Sequence, residues 1–140
     1  MNSYYKMRSR HAQEFYGFPH ICAFTQKNLL EGMKKLGVNT PKELFGYGDT
    51  GLYFRVTDRT ALDEMFERQH KEITEAILND GTGNGFIYDM FLYELNAHEY
   101  RFTQDIEDTL EALGITQEQI VSTPNLKHGL EKACRKIIST

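Results

Sequence analysis

The sequence predicts a helix-dominated α+β fold, arranged as a single globular domain over residues 1–140. Apolar residues recur at intervals of three and four along most of the chain, which is the period of an amphipathic helix. Two shorter apolar stretches, residues 20–24 and 52–56, have the length and composition of strands. A chain of this length also buries roughly two-thirds of its unfolded surface without metals or disulfides. We therefore expect six or seven helices and two short strands around one core.

In the first 36 residues, proline and threonine set the element boundaries. The first predicted helix covers residues 4–18 and stops at Pro19, because proline lacks the amide hydrogen that a helix requires. The strand-like stretch 20–24 follows. Thr25 then has the side chain needed to cap a second helix over residues 26–36.

The next segment carries a capping signal and the longest helical period. Residues 40–43, Thr-Pro-Lys-Glu, form a capping box with proline at the first helical position, which predicts a brief helical turn over 43–45. The glycine-rich stretch 46–51 breaks that turn, and the predicted strand 52–56 comes next. A continuous apolar stripe then predicts the longest helix, over residues 59–78.

Residues 81–85 contain three glycines and lead directly into an aromatic segment, residues 86–99, which reads as a helix. Its apolar residues cover more than one helical face, so we expect a central helix that is largely buried. His98, near its end, should lie close to the surface. The side chains expected to be mostly buried are Phe86, Met90, Phe91, Leu92 and Leu95.

Three shorter signals organise the last part of the chain. Thr103 is placed to cap a short acidic helix that ends at Leu113. Thr116 is placed to cap another brief helix. Pro124 stands at the first position of the last predicted helix.

The net charge of −4 conceals an uneven distribution. Residues 1–42 carry seven Lys and Arg against two acids, residues 43–118 carry five against seventeen, and residues 119–140 carry four against one. A nucleic-acid binder should be broadly basic, so no direct nucleic-acid binding is expected. The acidic middle is either exposed or neutralised internally by the basic ends.

Composition favours a cytoplasmic protein that does not contact a membrane. No apolar run approaches the ~18 residues that a membrane-spanning helix needs, and the N-terminal residues lack the apolar core of a secretory signal. Cys22 and Cys134 are best interpreted as reduced, half-buried thiols. A single bridge between them would be possible in an exported protein.

Residues 80–91 partly match a calcium-binding loop of the EF-hand type. Position 12 of such a loop supplies a bidentate Glu, and here it is Phe91, so we expect no metal and no other cofactor. A glycine-permitted turn between two helices accounts for the same residues. The positions that do match are Asp80, Thr82, Asn84, Gly85 and Ile87.

Two groups of residues are candidates for catalysis. Glu94 and His98 lie one helical turn apart with Tyr100 nearby, and an enzyme would combine them with a metal or nucleotide at the 81–85 loop. His20 and Cys22 would share one face of the predicted strand 20–24, as a nucleophile and its base. The sequence identifies no third residue that would activate either group.

The acidic helix is the candidate partner-binding site. Asp105, Glu107, Asp108 and Glu111 lie opposite its apolar residues, where a charged face is usually solvated. A face this dense in carboxylates can also imitate a phosphate backbone and occupy the basic groove of a nucleic-acid enzyme.

Residues 31–37, 86–95, 96–100 and 105–114 resemble an uncharacterised family of small proteins carried by phages and conjugative elements of gut Firmicutes. That resemblance implies a mobile-element setting, in which accessory proteins often disarm host defences. Small acidic accessory proteins of this size are similar to anti-CRISPR proteins. The family has no assigned active site, so no residue role is carried over from it.

These observations predict a non-enzymatic protein–protein interaction domain. The expected partner is a protein with a basic surface, such as a CRISPR effector nuclease that the chain inhibits. Two alternatives stay open: the small enzyme based on Glu94, His98 and the 81–85 loop, and a regulatory component of the element's transfer or replication machinery.

Overall fold

A computed structural model describes all residues, 1–140, and confirms a helix-dominated α+β fold. It contains eight α-helices and a three-stranded antiparallel sheet, one helix and one strand more than the largest number expected. The elements are α1 (Ser3–Gly17), β1 (Ile21–Cys22), α2 (Gln26–Leu36), β2 (Leu44–Gly46), β3 (Leu52–Arg55), α3 (Arg59–Asn79), α4 (Phe86–Ala97), α5 (Tyr100–Thr103), α6 (Glu107–Leu113), α7 (Gln117–Ser122) and α8 (Pro124–Ser139).

The chain divides into two compact units, which we describe separately. Residues 1–10 and 71–140 form one, which we call the helical unit because it contains α4 to α8. Residues 11–70 form the other, which we call the sheet unit because it contains all three strands.

The helical unit is built around α4, which packs mainly against α8. As expected for a helix with apolar residues on more than one face, α4 is largely buried: Met90, Phe91 and Leu95 are fully enclosed, while Phe86 and Leu92 are partly buried. His98 follows the helix and is partly exposed, as expected. The remaining members of this core are Tyr4, Ile87, Leu110, Ile120, Leu126, Leu130, Ala133 and Ile137.

Two glycines allow α8 to approach the start of α4 closely. A Cβ atom added at Gly83 would overlap the backbone carbonyl of Asn125, and Gly83 has a φ of +82° that side chains rarely adopt. A Cβ atom added at Gly129 would lie 2.5 Å from Cγ2 of Ile87 and 2.8 Å from the carbonyl oxygen of Gly83. The 81–85 loop therefore fixes the packing between these two helices.

The sheet unit places β3 between its two partners, in the order β1-β3-β2. Tyr53 of β3 pairs with Ile21 of β1, and Phe54 pairs with Phe45 of β2, both in antiparallel register. Phe54 is completely buried and lies within 6.4 Å, ring to ring, of a set of aromatic side chains. That set comprises Phe15, Phe18, His20, Phe45 and Tyr47.

Two local predictions are wrong. The capping box at Thr40 precedes a 3₁₀ turn, Pro41–Glu43, and residues 44–46 then form β2 instead of continuing the helix. Glu43 does fulfil its capping role, because its carboxylate accepts hydrogen bonds from the backbone N–H groups of Asn39 (2.7 Å) and Thr40 (2.8 Å). Thr103 does not cap the acidic helix: its hydroxyl accepts a hydrogen bond from the backbone N–H of Asp105, and α6 begins only at Glu107.

Candidate functional site

The four acidic side chains predicted to bind a partner all lie on the surface of the helical unit. Asp105 precedes α6, and Glu107, Asp108 and Glu111 belong to it. All four are exposed, and none forms an ion pair. The opposite side of α6 is held down by Leu110 and other buried residues, so the carboxylates point away from the core.

An exposed aromatic ring stands just before these carboxylates. Phe102 belongs to the four-residue helix α5 and is 83% exposed. Glu99 and Gln104, which flank that helix, have φ values of +59° and +54°, in the left-handed region that non-glycine residues seldom occupy. The backbone therefore reverses on both sides of α5 and leaves Phe102 in solvent.

The other aromatic residue of α5 points inward. The interaction of the Tyr100 hydroxyl with the thiol of Cys134 on α8, together with burial, raises the pKa of Tyr100 to about 12. Burial also raises the pKa of the Cys134 thiol. These two side chains tie α5 to the core while Phe102 stays outside.

We call Phe102, Asp105, Glu107, Asp108 and Glu111 together the acidic surface.

A second cluster lies at the far end of α4, where Glu94 is only 6% exposed. Its Oε1 atom accepts a hydrogen bond of 2.7 Å from the hydroxyl of Tyr4 and lies 3.7 Å from Nη1 of Arg8. Its Oε2 atom lies 3.5 Å from Nε2 of His98. Burial and the Glu94 hydrogen bond raise the pKa of Tyr4 well above its usual range. The carboxylate thus joins the first turns of α1 to α4.

The structure brings together only part of the proposed enzyme site. Glu94 and His98 are close, but the Tyr100 hydroxyl interacts with Cys134 and is not part of their cluster. The 81–85 loop precedes α4, and a rise of 1.5 Å per residue separates Gly85 from Glu94 by about 14 Å along the helix axis. No three His, Cys, Asp or Glu side chains are close enough together to hold a metal ion.

Asp80, at position 1 of the calcium-like loop, forms hydrogen bonds with the backbone of the loop itself. The Asp80 carboxylate accepts hydrogen bonds from the backbone N–H groups of Gly83 (3.0 Å), Gly85 (3.1 Å) and Ile87 (3.0 Å). Partial burial works against ionisation of Asp80, but these N–H donors prevail and keep its pKa below the usual value. Asp80 is therefore the internal cap of the glycine loop.

The basic residues of 1–42 and 119–140 neutralise the acidic stretch 43–118 only in part. Within the helical unit Arg8 lies 3.7 Å from Glu94, and Arg10 pairs with Glu72 at 2.9 Å. No basic side chain reaches the acidic surface, and Arg101, the one basic residue in 99–111, is exposed and forms no ion pair. The acidic surface therefore keeps its charge.

Sequence reasoning missed two cavities in the sheet unit. A groove of about 540 Å³ lies beside Phe18 and Met65, and its rim carries Glu14 hydrogen-bonded to Arg68. A second cavity, of about 330 Å³, includes His20 and Cys22 in its wall. The sequence had indicated only that His20 and Cys22 lie close together, on one face of the predicted strand. Cys22 is exposed, in contrast to the half-buried thiol expected, and both cysteines are free.

None of the eight α-helices combines the length and the apolar character needed to cross a lipid bilayer. No curated protein and no solved structure matches the chain. One family model does match, over residues 3–136, and it describes a family of unknown function, DUF7659. Because that match extends over nearly the whole chain, the protein belongs to the DUF7659 family.

Proposed function

We propose that this protein is a non-enzymatic interaction domain whose acidic surface occupies the basic groove of a host nucleic-acid-targeting enzyme and inhibits it. The observation that carries the proposal is the set of four exposed, unpaired carboxylates at Asp105, Glu107, Asp108 and Glu111. A groove that binds nucleic acid is lined with Lys and Arg, and closely spaced carboxylates complement it as phosphates do.

The charge of this surface favours a basic protein as the partner over a nucleic acid. The stretch 99–111 contains five acids and one base, so it repels a phosphate backbone and attracts a basic protein surface. Exposed charge pairs are screened beyond about 8 Å at physiological ionic strength. The proposed complex should therefore form quickly at low salt and weaken as salt is added.

The mobile-element resemblance suggests the target class, a CRISPR effector nuclease, and with it a cytoplasmic location. The same surface would serve the alternative in which the chain regulates a basic component of transfer or replication machinery. The enzyme alternative receives less support, because Glu94 and His98 lie at the opposite end of α4 from the glycine loop.

The test replaces Asp105, Asp108 and Glu111 by Lys and measures inhibition of DNA cleavage across a panel of CRISPR effectors. The fold should survive, because buried Leu110 and its apolar neighbours hold α6 in place, and circular dichroism checks this. We expect inhibition by the natural chain and none by the triple variant.

A matched control reverses three exposed acids of α3, Asp63, Glu64 and Glu67, which changes the net charge by the same amount. This control variant should inhibit as the natural chain does. Equal inhibition by both triple variants and the natural chain would refute the acidic surface as the binding site. Absence of inhibition by the natural chain against every effector would refute the inhibitor function.

A further inference from the structure

The groove of about 540 Å³ in the sheet unit lies where the end of α1 meets α3. Its α1 side is formed by Glu14 and by residues 17–19, where the helix ends. On α3 the lining residues are spaced at three and four positions, so they share one face of that helix. They are Ala61, Glu64, Met65 and Arg68. The two sides therefore face one common space.

The least exposed residues of the groove are apolar, and their positions are fixed by contacts within the sheet unit. Met65 is buried, and Phe18 is partly buried with its ring 6.0 Å from the ring of Phe54. The carbonyl oxygen of Phe18 accepts a hydrogen bond from Nδ1 of His20 at 2.6 Å. The ring of Pro19 fixes its own φ. Because these walls are already ordered, binding would require little further ordering of the chain.

The charged residues of the groove leave one carboxylate without a partner. Arg68, the only basic residue in the lining, is hydrogen-bonded to Glu14, and Gln69 donates to the same carboxylate at 2.8 Å. These two donors keep the pKa of Glu14 below its usual value, so Glu14 and Arg68 remain ionised and neutralise each other. Glu64 is exposed and forms no ion pair. The groove thus combines apolar walls with one uncompensated negative charge.

The openness of the groove favours a protein segment over a small molecule. A small-molecule site usually encloses about 70–90% of its ligand. Most of the residues that line this groove are exposed, so it can cover only one side of whatever it binds. A segment of a protein needs no more, because its other side stays attached to the partner. The face of α3 from 61 to 68 is about 10 Å long, enough for about three residues of an extended segment.

We propose that this groove docks a short basic segment of a protein partner. An apolar side chain such as Leu or Phe would enter between Phe18 and Met65, and an adjacent Lys or Arg would pair with Glu64. Charge complementarity favours this occupant, because an acidic segment or a phosphate backbone would meet Glu64 with a like charge. The docking is separate from the acidic surface and does not depend on the inhibitor function proposed above.

The test measures the binding of three short synthetic peptides to the natural chain. The first has a central Leu flanked by Lys on both sides, the second has Glu in place of both Lys, and the third has Ser in place of Leu. Titrations followed by backbone amide chemical shifts give the Kd and the location of binding. We expect the first peptide to shift residues 14–19 and 61–68 and to bind about tenfold tighter than either of the others.

Two substitutions in the groove and one control locate the contacts. Glu64→Gln should weaken binding of the first peptide about two- to fivefold, the effect of one exposed charge pair. Ala61→Trp should fill the groove and weaken binding about tenfold, and circular dichroism should show an unchanged fold because Ala61 is exposed. Asp63→Asn removes an exposed carboxylate that points about 100° away from Glu64 around α3 and does not line the groove, so it should change nothing.

The proposal is overturned if none of the peptides binds, if the Lys and Glu peptides bind equally, or if Ala61→Trp leaves the affinity unchanged. Sedimentation of the chain alone tests a second copy as the occupant. We expect a monomer, and a dimer that Ala61→Trp dissociates would assign the groove to self-association instead.

Discussion

The two units each enclose one phenylalanine completely, but they surround it differently. Phe91 of the helical unit is one of eleven buried core residues, all of which lie on helices. Phe54 of the sheet unit belongs to a buried cluster of three, and the partly buried residues packed against that cluster are four phenylalanines and Leu52. Two side chains that are equally buried can therefore be surrounded by cores of different packing. The core of the helical unit contains more fully buried residues, whereas the core of the sheet unit is surrounded mainly by partly exposed rings.

The largest expected effect comes from truncating these two rings. Phe91→Ala should lower the free energy of unfolding by about 4–5 kcal/mol, because the surrounding helices cannot collapse into the cavity. Phe54→Ala should cost less, about 3 kcal/mol, because neighbouring rings such as Phe15 and Phe45 can move inward. Urea denaturation of both variants gives the two values.

Phe102→Ala serves as the control, since a ring that is 83% exposed contributes little to folding. An equal or greater loss for Phe54→Ala would show that the aromatic cluster of the sheet unit is as rigid as the helical core. Hydrogen exchange extends the comparison, with slower exchange expected in α4 than in β3.

Two backbone-capping carboxylates offer a smaller contrast. Asp80 in the helical unit accepts three backbone hydrogen bonds and Glu43 in the sheet unit accepts two, and both pKa values are lowered by these donors. Asp80→Asn should cost about 2–3 kcal/mol at neutral pH, because an amide cannot accept all three bonds. Glu43→Gln should cost less, since that carboxylate is fully exposed.

The pH dependence follows from the direction of these shifts. A carboxyl group whose pKa is lower in the folded state stabilises the fold above its unfolded pKa, about 4, and loses that contribution as pH falls through the folded value. Thermal unfolding between pH 5 and pH 2 should show the difference between natural chain and Asp80→Asn shrinking below pH 4. A constant difference over that range would contradict the assignment.

The smallest effect concerns a buried polar contact of the helical unit. Tyr4→Phe removes the hydroxyl that donates to Glu94 at 2.7 Å and should cost about 1.5 kcal/mol, a typical value for a hydrogen bond to a charged group. Tyr5→Phe, at a half-exposed neighbouring position, is the matched control and should be neutral. If both substitutions were neutral, the hydroxyl of Tyr4 would not contribute to the attachment of α1.

Local sequence signals predicted most of the helices, because the capping residues and the apolar period of a helix lie within or next to the helix itself. The apolar residues on several faces of 86–99 indicated that α4 is central, and Thr116 does cap α7 by accepting a hydrogen bond from Gln119 at 3.1 Å. β2 escaped prediction because three residues have no period of their own. It becomes a strand only by pairing with β3, whose partner residues lie seven to eleven positions further along the chain.

The candidate sites show the same limit. The helical spacing of the apolar residues in 105–114 was enough to indicate that Asp105, Glu107, Asp108 and Glu111 are exposed. The donor to Glu94 was not predictable, since Tyr4 lies 90 positions earlier in the sequence. The reversal of the backbone around α5 was equally hidden, because left-handed residues are usually signalled by glycine and here they are Glu99 and Gln104.

The contact between Gly83 and Gly129 has a consequence for how this sequence can change. Each position excludes even a methyl group, and each exclusion depends partly on the other residue's backbone. A substitution at one site would push α8 away from the loop, and no compensating loss of atoms is possible at the other site because glycine is already the smallest residue. The close contact at these two positions therefore fixes the position of α8 relative to α4. Apolar residues elsewhere in the helical unit can be exchanged for others of similar volume, but α4 and α8 cannot shift or rotate relative to each other without breaking this contact.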